Sequence, residues 1–339
     1  MKVLITGANG FLGRQVVAAC RARGQAVRAL VRPATPIEEL GWPASVEVVR
    51  GDLRAARDLE TAFDGVDTLI HLAAAVSGGE DYQFAATVGG TERLLAAMSR
   101  TRCRRLVLAS SFAVYDWSAI RRTLDERSPL EPVPDLYQRD GYTIAKSWQE
   151  RITRRMAERH GWDLTVLRPG FIWGRDHGDL AALRLPVGRL HVVIGPFTRL
   201  PLTHVENCAH LFALAAEDPR ARGQVFNVVD GPGPRIWTQL GAHLRGTGGG
   251  GLRIPVPYAL AFALVRLAFA TVFRRNPKLP HILVPCRFES RLKPLRFTND
   301  RAREVLGWEP PLDHRTCLER TYPGGGHQFL GIDVPPRPA

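Results

Sequence analysis

The 339 residues include only five cysteines (Cys20, Cys103, Cys208, Cys286 and Cys317), an odd number, widely spaced and without a Cys-x-x-Cys pair. This excludes a zinc ribbon and a dithiol redox centre, and it fits a reducing compartment, the cytoplasm. No long apolar run opens the chain: Val3-Leu4-Ile5 gives way to Thr6-Gly7, too short for a secretory signal, so no export is expected. Lysine is scarce, with four among 46 basic residues, and the arginines are dispersed along the whole chain. The formal net charge of +13 is therefore unaccompanied by a nucleic-acid motif, and no nucleic-acid partner is expected. His177, His191, His204 and His210 lack the spacing of metal ligands, so no metal is expected. No internal repeat is visible, and a composition of 45% hydrophobic and 23% charged residues excludes global disorder and a multi-span membrane protein.

What is present is a rhythm. Val3 to Thr6 is a branched apolar run that ends at glycines, followed by Leu12, Val16, Val17 and Cys20 at helical spacing up to Gly24. Strand character returns at Ala26 to Val31, Val46 to Val49, Thr68 to His71, Leu106 to Ala109 and Leu164 to Leu167. Helical stretches are expected at 55–63, 87–99 and 140–160. Such alternation predicts an α/β fold, a Rossmann-type doubly wound parallel sheet with a smaller C-terminal substrate lobe. The expected division is 1–171 for the dinucleotide-binding part, rejoined by 200–230 through a buried strand at Gln224 to Val229. Residues 172–199 and 231–330, interrupted by Pro186, Pro196 and the connector Gly246 to Gly251, are expected to form the substrate lobe, with a frayed tail at 331–339.

Two features carry chemistry. Gly7-Ala8-Asn9-Gly10-Phe11-Leu12-Gly13 lies between the first strand and first helix, where glycines let the backbone approach a pyrophosphate and the helix N-terminus offers oriented N–H donors. Tyr142 and Lys146 lie one turn apart on one helix face, so an ammonium and the helix N-terminus can stabilise a phenolate. Ser111 follows the strand Leu106 to Ala109, at the carboxyl edge where such sheets place ligands.

In combination, Thr6-Gly7-Ala8-Asn9-Gly10-Phe11-Leu12-Gly13, Gly51-Asp52-Leu53, His71-Leu72-Ala73-Ala74, Ser110-Ser111-Phe112-Ala113-Val114-Tyr115, Tyr142-x-x-x-Lys146 and Arg168-Pro169-Gly170 resemble the extended short-chain dehydrogenase/reductases. More narrowly, the chain resembles their NAD-dependent epimerase/dehydratase group. The resemblance implies a Ser111/Tyr142/Lys146 triad beside a nicotinamide. Ser111 would hydrogen-bond the reacting oxygen and Tyr142 would serve as acid/base. Lys146 would bind the nicotinamide ribose and lower the tyrosine pKa. It further implies cofactor contacts from Gly7, Asn9, Gly10, Phe11, Leu12, Gly13, Asp52, Leu53, Ala73, Ala74, Tyr142, Lys146 and Pro169. Three departures stand out. Thr87 replaces the family's asparagine at the head of Thr87-Val88-Gly89-Gly90-Thr91. Phe112-Ala113 replace the acidic pair of the sugar dehydratases, which argues against dehydration. Arg287-Phe288-Glu289-Ser290-Arg291 stands where nucleotide-sugar epimerases carry Arg-x-Gly-Asp.

The second strand ends in Leu30-Val31-Arg32 with no acid to bind a ribose 2′-hydroxyl, and Arg32 can pair with a phosphate, which favours NADP over NAD. The leading expectation is hydride transfer at a secondary alcohol or ketone of a sugar-like substrate, a nucleotide-sugar among the candidates. The apolar stretch Tyr258 to Phe273 supports a rival, a hydroxysteroid dehydrogenase-like reductase of a hydrophobic substrate. A noncatalytic NADP-binding sensor or assembly factor is the alternative of another class; retention of all three triad residues argues against it. The helices at 87–99 and 140–160, with the stripe Trp148, Ile152 and Met156, match those the family pairs into a homodimer. Tyr258 to Phe273, followed by Arg274, Arg275 and Lys278, is too short to span a bilayer but suits either the core of the small lobe or peripheral contact with the inner face of the membrane.

Overall fold

The computed structural model describes residues 1–55, 59–132, 140–175, 177–178, 180, 184–187, 189–272 and 281–322. The chain runs through β1 (Lys2–Thr6), α1 (Phe11–Ala22), β2 (Ala26–Val31), β3 (Val46–Arg50), β4 (Thr68–His71), α2 (Glu80–Phe84), α3 (Gly90–Ser99) and β5 (Arg105–Ala109). It continues through β6 (Thr123–Leu124), α4 (Gly141–His160), β7 (Asp163–Pro169), β8 (Phe171–Trp173), β9 (Leu185–Val187), β10 (Leu190–Ile194), β11 (Leu202–His204), α5 (Val205–Glu217) and β12 (Val225–Val228). Last come α6 (Ile236–Gly246), β13 (Leu252–Val256), α7 (Tyr258–Val272), α8 (Pro285–Leu292), β14 (Arg296–Phe297), α9 (Asp300–Leu306) and α10 (His314–Thr321).

Seven of these strands form one parallel sheet in the order β12-β7-β5-β4-β1-β2-β3. Its strands read as unbroken apolar runs because both faces are covered. Val3 and Ile5 of β1 point into a core with α1 and α5, whereas Leu4 points into the opposite core with α3. The strand order reverses between β1 and β4, which places the ligand crevice at their carboxyl ends, beside Thr6-Gly7 and His71.

Two expected helices take tighter or looser forms. Residues Leu59–Phe63 form a 3-10 helix, whose short repeat is enough to bury Leu59, Ala62 and Phe63. The stretch expected at 87–99 opens as a π-helical turn, Ala85–Gly89, and becomes α3 at Gly90. By contrast α4 has sharp ends: the Asp140 carboxylate accepts the Thr143 N–H at 2.8 Å and Gly161 closes it at φ 63°. On α4, Trp148 is 39% exposed with Arg151 over its ring, Ile152 is half-buried, and Met156 packs against the α3 core.

Of the three smaller sheets among the described residues, β13-β10-β9 packs with α6, α7, α8 and α10 around Trp173, Ile236, Leu240 and Phe288, and β11-β8 and β14-β6 are two-stranded. Phe273, Arg274, Arg275 and Lys278 and the expected tail at 331–339 lie outside the described residues.

Candidate active site

The glycine turn is built for close approach. Gly7 has φ 69°, and a Cβ there would meet the Ala73 backbone nitrogen at 2.9 Å. A Cβ at Gly13 would lie 2.1 Å from the Gly7 carbonyl oxygen, so α1 can pack this tightly on β1 only with glycine. The Gly10 N–H donates to Gly7 O at 3.0 Å, and Gly10 caps α1, whose first turn carries no acid. The result is a cradle with an open, electropositive helix N-terminus, suited to the pyrophosphate of a dinucleotide. Leu12 packs inward against the α1 core, while the Phe11 ring stacks on His177 with centroids 3.9 Å apart.

The residues named from the sequence for the cofactor also make contacts within the protein. The Asn9 amide turns to Thr35 Oγ1 at 3.5 Å. Asp52 is bound by Arg54 (2.6 Å), whose hydrogen bond chiefly holds the carboxyl below its usual range, with a smaller contribution from the nearby Arg32 charge. Leu53 packs at Gly90, where an added Cβ would come within 3.2 Å. Ala73 and Ala74 are half-buried beyond β4, and Pro169 is buried at the end of β7, paired with Val228. Arg32 is exposed after β2.

The three residues expected to do the chemistry converge on the carboxyl edge of β5. Ser111 turns the chain out of β5, accepting the Ala113 N–H at 3.1 Å, and it hydrogen-bonds Tyr142 from the first turn of α4. Burial raises the phenol pKa above its ordinary value; the Ser111 hydrogen bond works against that rise and the Asp140 charge adds to it. Lys146, one turn on, donates to the carbonyl of Ala109 and to Gln149 Oε1. Burial lowers Lys146 to about 7, opposed by the Glu150 charge. Among the described residues no hydrogen bond joins Lys146 to Tyr142.

Two networks were not foreseen from the sequence. In the first, Gln149 accepts from Lys146 and donates through Nε2 to Thr91 Oγ1 (2.9 Å) and to the Ala73 carbonyl (3.1 Å). The Thr91 hydroxyl donates to Thr87 O (2.6 Å); His71 Nε2 lies 2.8 Å from Thr91 Oγ1 and 3.2 Å from Gln149 Nε2, and His71 Nδ1 lies 2.7 Å from Thr6 Oγ1. Burial, with the Lys146 charge, lowers His71 to about 3, so it stays neutral. Thr87, where the family has asparagine, accepts the Ala75 N–H at 3.0 Å. The second network runs Ser110–Glu150–Arg168–Tyr115–Asn227 and clamps α4 to the ends of β5, β7 and β12. The available signal was position: Gln149 and Glu150 stand three and four residues after Lys146, on its helix face.

A dinucleotide cradle at the strand-order reversal, with a serine, a tyrosine and a lysine at the adjoining sheet edge, defines a nicotinamide-dependent enzyme of the doubly wound class. Residues 3–228 match the NAD dependent epimerase/dehydratase family, and the chain belongs to it, as an enzyme of the extended short-chain dehydrogenase/reductase type that uses a nicotinamide cofactor. It is 30% identical to the 4-hydroxy-2-methyl-3-oxo-4-farnesyl-3,4-dihydroquinoline-1-oxide ketoreductase of Stigmatella aurantiaca, over 94% of this chain and 95% of the relative. It is also 30% identical to a 3 beta-hydroxysteroid dehydrogenase/Delta 5→4-isomerase of Mycobacterium tuberculosis, over 95% of this chain and 90% of the relative. Among solved structures, a short-chain dehydrogenase/reductase superfamily protein of Agrobacterium tumefaciens with bound NAD superposes with a TM-score of 0.70 at 23% identity, covering 95% of this chain and 96% of that one. The UDP-glucose 4-epimerase of Thermus thermophilus gives 0.68 at 22%, covering 96% and 99%. At these identities the structural likeness concerns the fold alone.

Proposed function

We propose that the protein is a ketoreductase or hydroxyl dehydrogenase of a bulky hydrophobic substrate. The observation that carries this reading is the match, across 94% and 95% of the chain, to two relatives named for a farnesylated quinoline oxide and for a hydroxysteroid. It inverts the order of the two substrate readings drawn from the sequence, sugar-like first and hydrophobic second. The stretch Arg287 to Arg291 supports the change. It lies in α8, where Arg287 is 8% exposed and Glu289 pairs with Lys293 at 2.8 Å, a poor place to hold an exposed diphosphate.

When bound, the nicotinamide supplies or accepts the hydride. Tyr142 then gives its proton to the carbonyl oxygen, or takes it from the alcohol, while Ser111 holds that oxygen by a hydrogen bond. Lys146, positioned by Ala109 and Gln149, binds the cofactor ribose. The test is a substrate panel followed by nicotinamide absorbance. Turnover is expected with a steroid or farnesylated quinolone ketone; interconversion of UDP-glucose and UDP-galactose without such turnover would overturn the reading.

NADP is the proposed cofactor, because Arg32 is exposed after β2, no acid ends that strand, and the nearby acid Asp52 is already held by Arg54. Arg32→Ala is expected to weaken NADP binding by roughly 1 to 3 kcal/mol and to leave NAD nearly unchanged. Equal titration of the unmodified protein by NAD and NADP would count against the assignment.

A further inference from the structure

The described part of α7 is neither wholly core nor wholly exposed. Ala261 and Val265, both 6% exposed, pack into the small lobe, with Tyr258 and Phe262 against Phe288. Leu260, Leu264 and Leu267 are 54%, 57% and 62% exposed, and at 100° per residue they fall within one arc of about 60°. Three consecutive outward leucines on one face are an apolar ridge rather than scattered surface residues. Arg266 is also exposed, on the flank of the helix about 100° round from Leu267. The strand that leads into the helix, β13, is an edge strand and leaves Leu252 65% and Ile254 37% exposed.

The sequence that carries this ridge is one-sided in charge. The whole chain has 33 acids in 339 residues, about one in ten, yet from residue 231 to 288 there is none, against eight arginines and lysines. An apolar ridge within an acid-free, basic segment complements a surface that is apolar inside and anionic at its boundary. Two-fold pairing of the same face would instead bring like charges together, with no acid in the segment to offset them. No helix among the described residues is long and apolar enough to cross a membrane, and α7, at 15 residues, falls short of the ~20 required.

We propose that the α7 face, with Leu260, Leu264 and Leu267 inserted and Arg266 reaching the headgroups, docks the enzyme on an anionic lipid surface. This deepens the reading of a hydrophobic substrate, which would partition into the same lipid, and it rests on that reading only for its purpose.

The test is flotation of the full chain with vesicles of phosphatidylcholine alone or mixed with phosphatidylglycerol. The protein is expected to float with the mixed vesicles at low salt and to be released at about 0.5 M salt, where the Debye length falls to roughly 4 Å. Replacing all three leucines (Leu260→Gln, Leu264→Gln, Leu267→Gln) is expected to lower the bound fraction about tenfold or more. These side chains are largely outside the core, so an unchanged thermal transition should show that the fold survives. Arg266→Glu, which keeps the leucines, is expected to weaken binding to the mixed vesicles alone. The proposal is overturned if the protein stays at the bottom of the gradient at low salt, or if both lipid mixtures bind it equally with the leucine variant unimpaired. It is equally overturned if that variant converts a dimer to a monomer without changing flotation. Because flotation uses no substrate, a protein that floats but turns over no hydrophobic ketone would retain the docking surface and lose the substrate reading.

Discussion

Replacing Tyr142 by Phe is expected to lower turnover by about three orders of magnitude, within the range that a positioned proton donor contributes, and to leave cofactor affinity within about twofold. The reason is local. The substitution removes only the hydroxyl that Ser111 binds; the glycine cradle is built by β1 and α1 rather than α4, and the Asp140 cap that sets the first turn of α4 is untouched. Lys146→Ala should behave differently and impair cofactor binding as well as turnover. It also leaves the Ala109 carbonyl and Gln149 Oε1 without the ammonium they now share. Steady-state rates and cofactor titrations of the two variants check the assignment. A Tyr142→Phe enzyme within a few fold of the parent, or a Lys146→Ala enzyme with normal cofactor affinity, would mean that the proton or the ribose is handled elsewhere.

The parts of this site that could be read from the sequence are those determined by contiguous residues. The apolar runs of β1, β4 and β5 announce strands covered on both faces, the glycine turn announces the cradle, and Asp140 and Gly161 bracket α4. What could not be read depends on encounters through space. Gln149 looks like an ordinary polar position on a helix, and only the approach of Ala73, His71 and Thr91 turns it into the group that ties Lys146 to the cofactor crevice. Asp52 could be matched to an adenine contact, but not seen to be held by a neighbour two residues on. Tyr258 to Phe273 posed a different difficulty: an apolar run whose one charge is Arg266 has too little periodicity to show which side is buried. The fold decides it, by packing Ala261 and Val265 inward and leaving the larger leucines outside.

The other large effect expected is on stability, at Glu150. Its carboxylate, 3% exposed, binds Arg168 at 2.5 Å, also 3% exposed, as well as Arg154 and the Ser110 hydroxyl. Burial alone would raise its pKa, but the Arg168 hydrogen bond and charge, with Arg154 and Ser110, outweigh burial and hold it down to about 2. Glu150→Ala strands the Arg168 guanidinium inside the protein with Tyr115 as its remaining side-chain hydrogen-bond partner among the described residues, and is expected to cost roughly 3 to 5 kcal/mol. Replacing both partners, with Glu150→Leu and Arg168→Met together, should recover most of that loss, because no buried charge is left unpaired. The same pair gives a pH signature. Because the folded pKa lies below the unfolded one, the contribution of Glu150 is complete above about pH 4.5 and is lost as the pH falls toward 2, a span worth roughly 3 kcal/mol. Urea unfolding of the three proteins between pH 7 and pH 3 reads both effects. If Glu150→Ala costs less than about 1 kcal/mol at pH 7, or its deficit persists undiminished at pH 3, the clamp that holds α4 and its tyrosine to the sheet is not this ion pair.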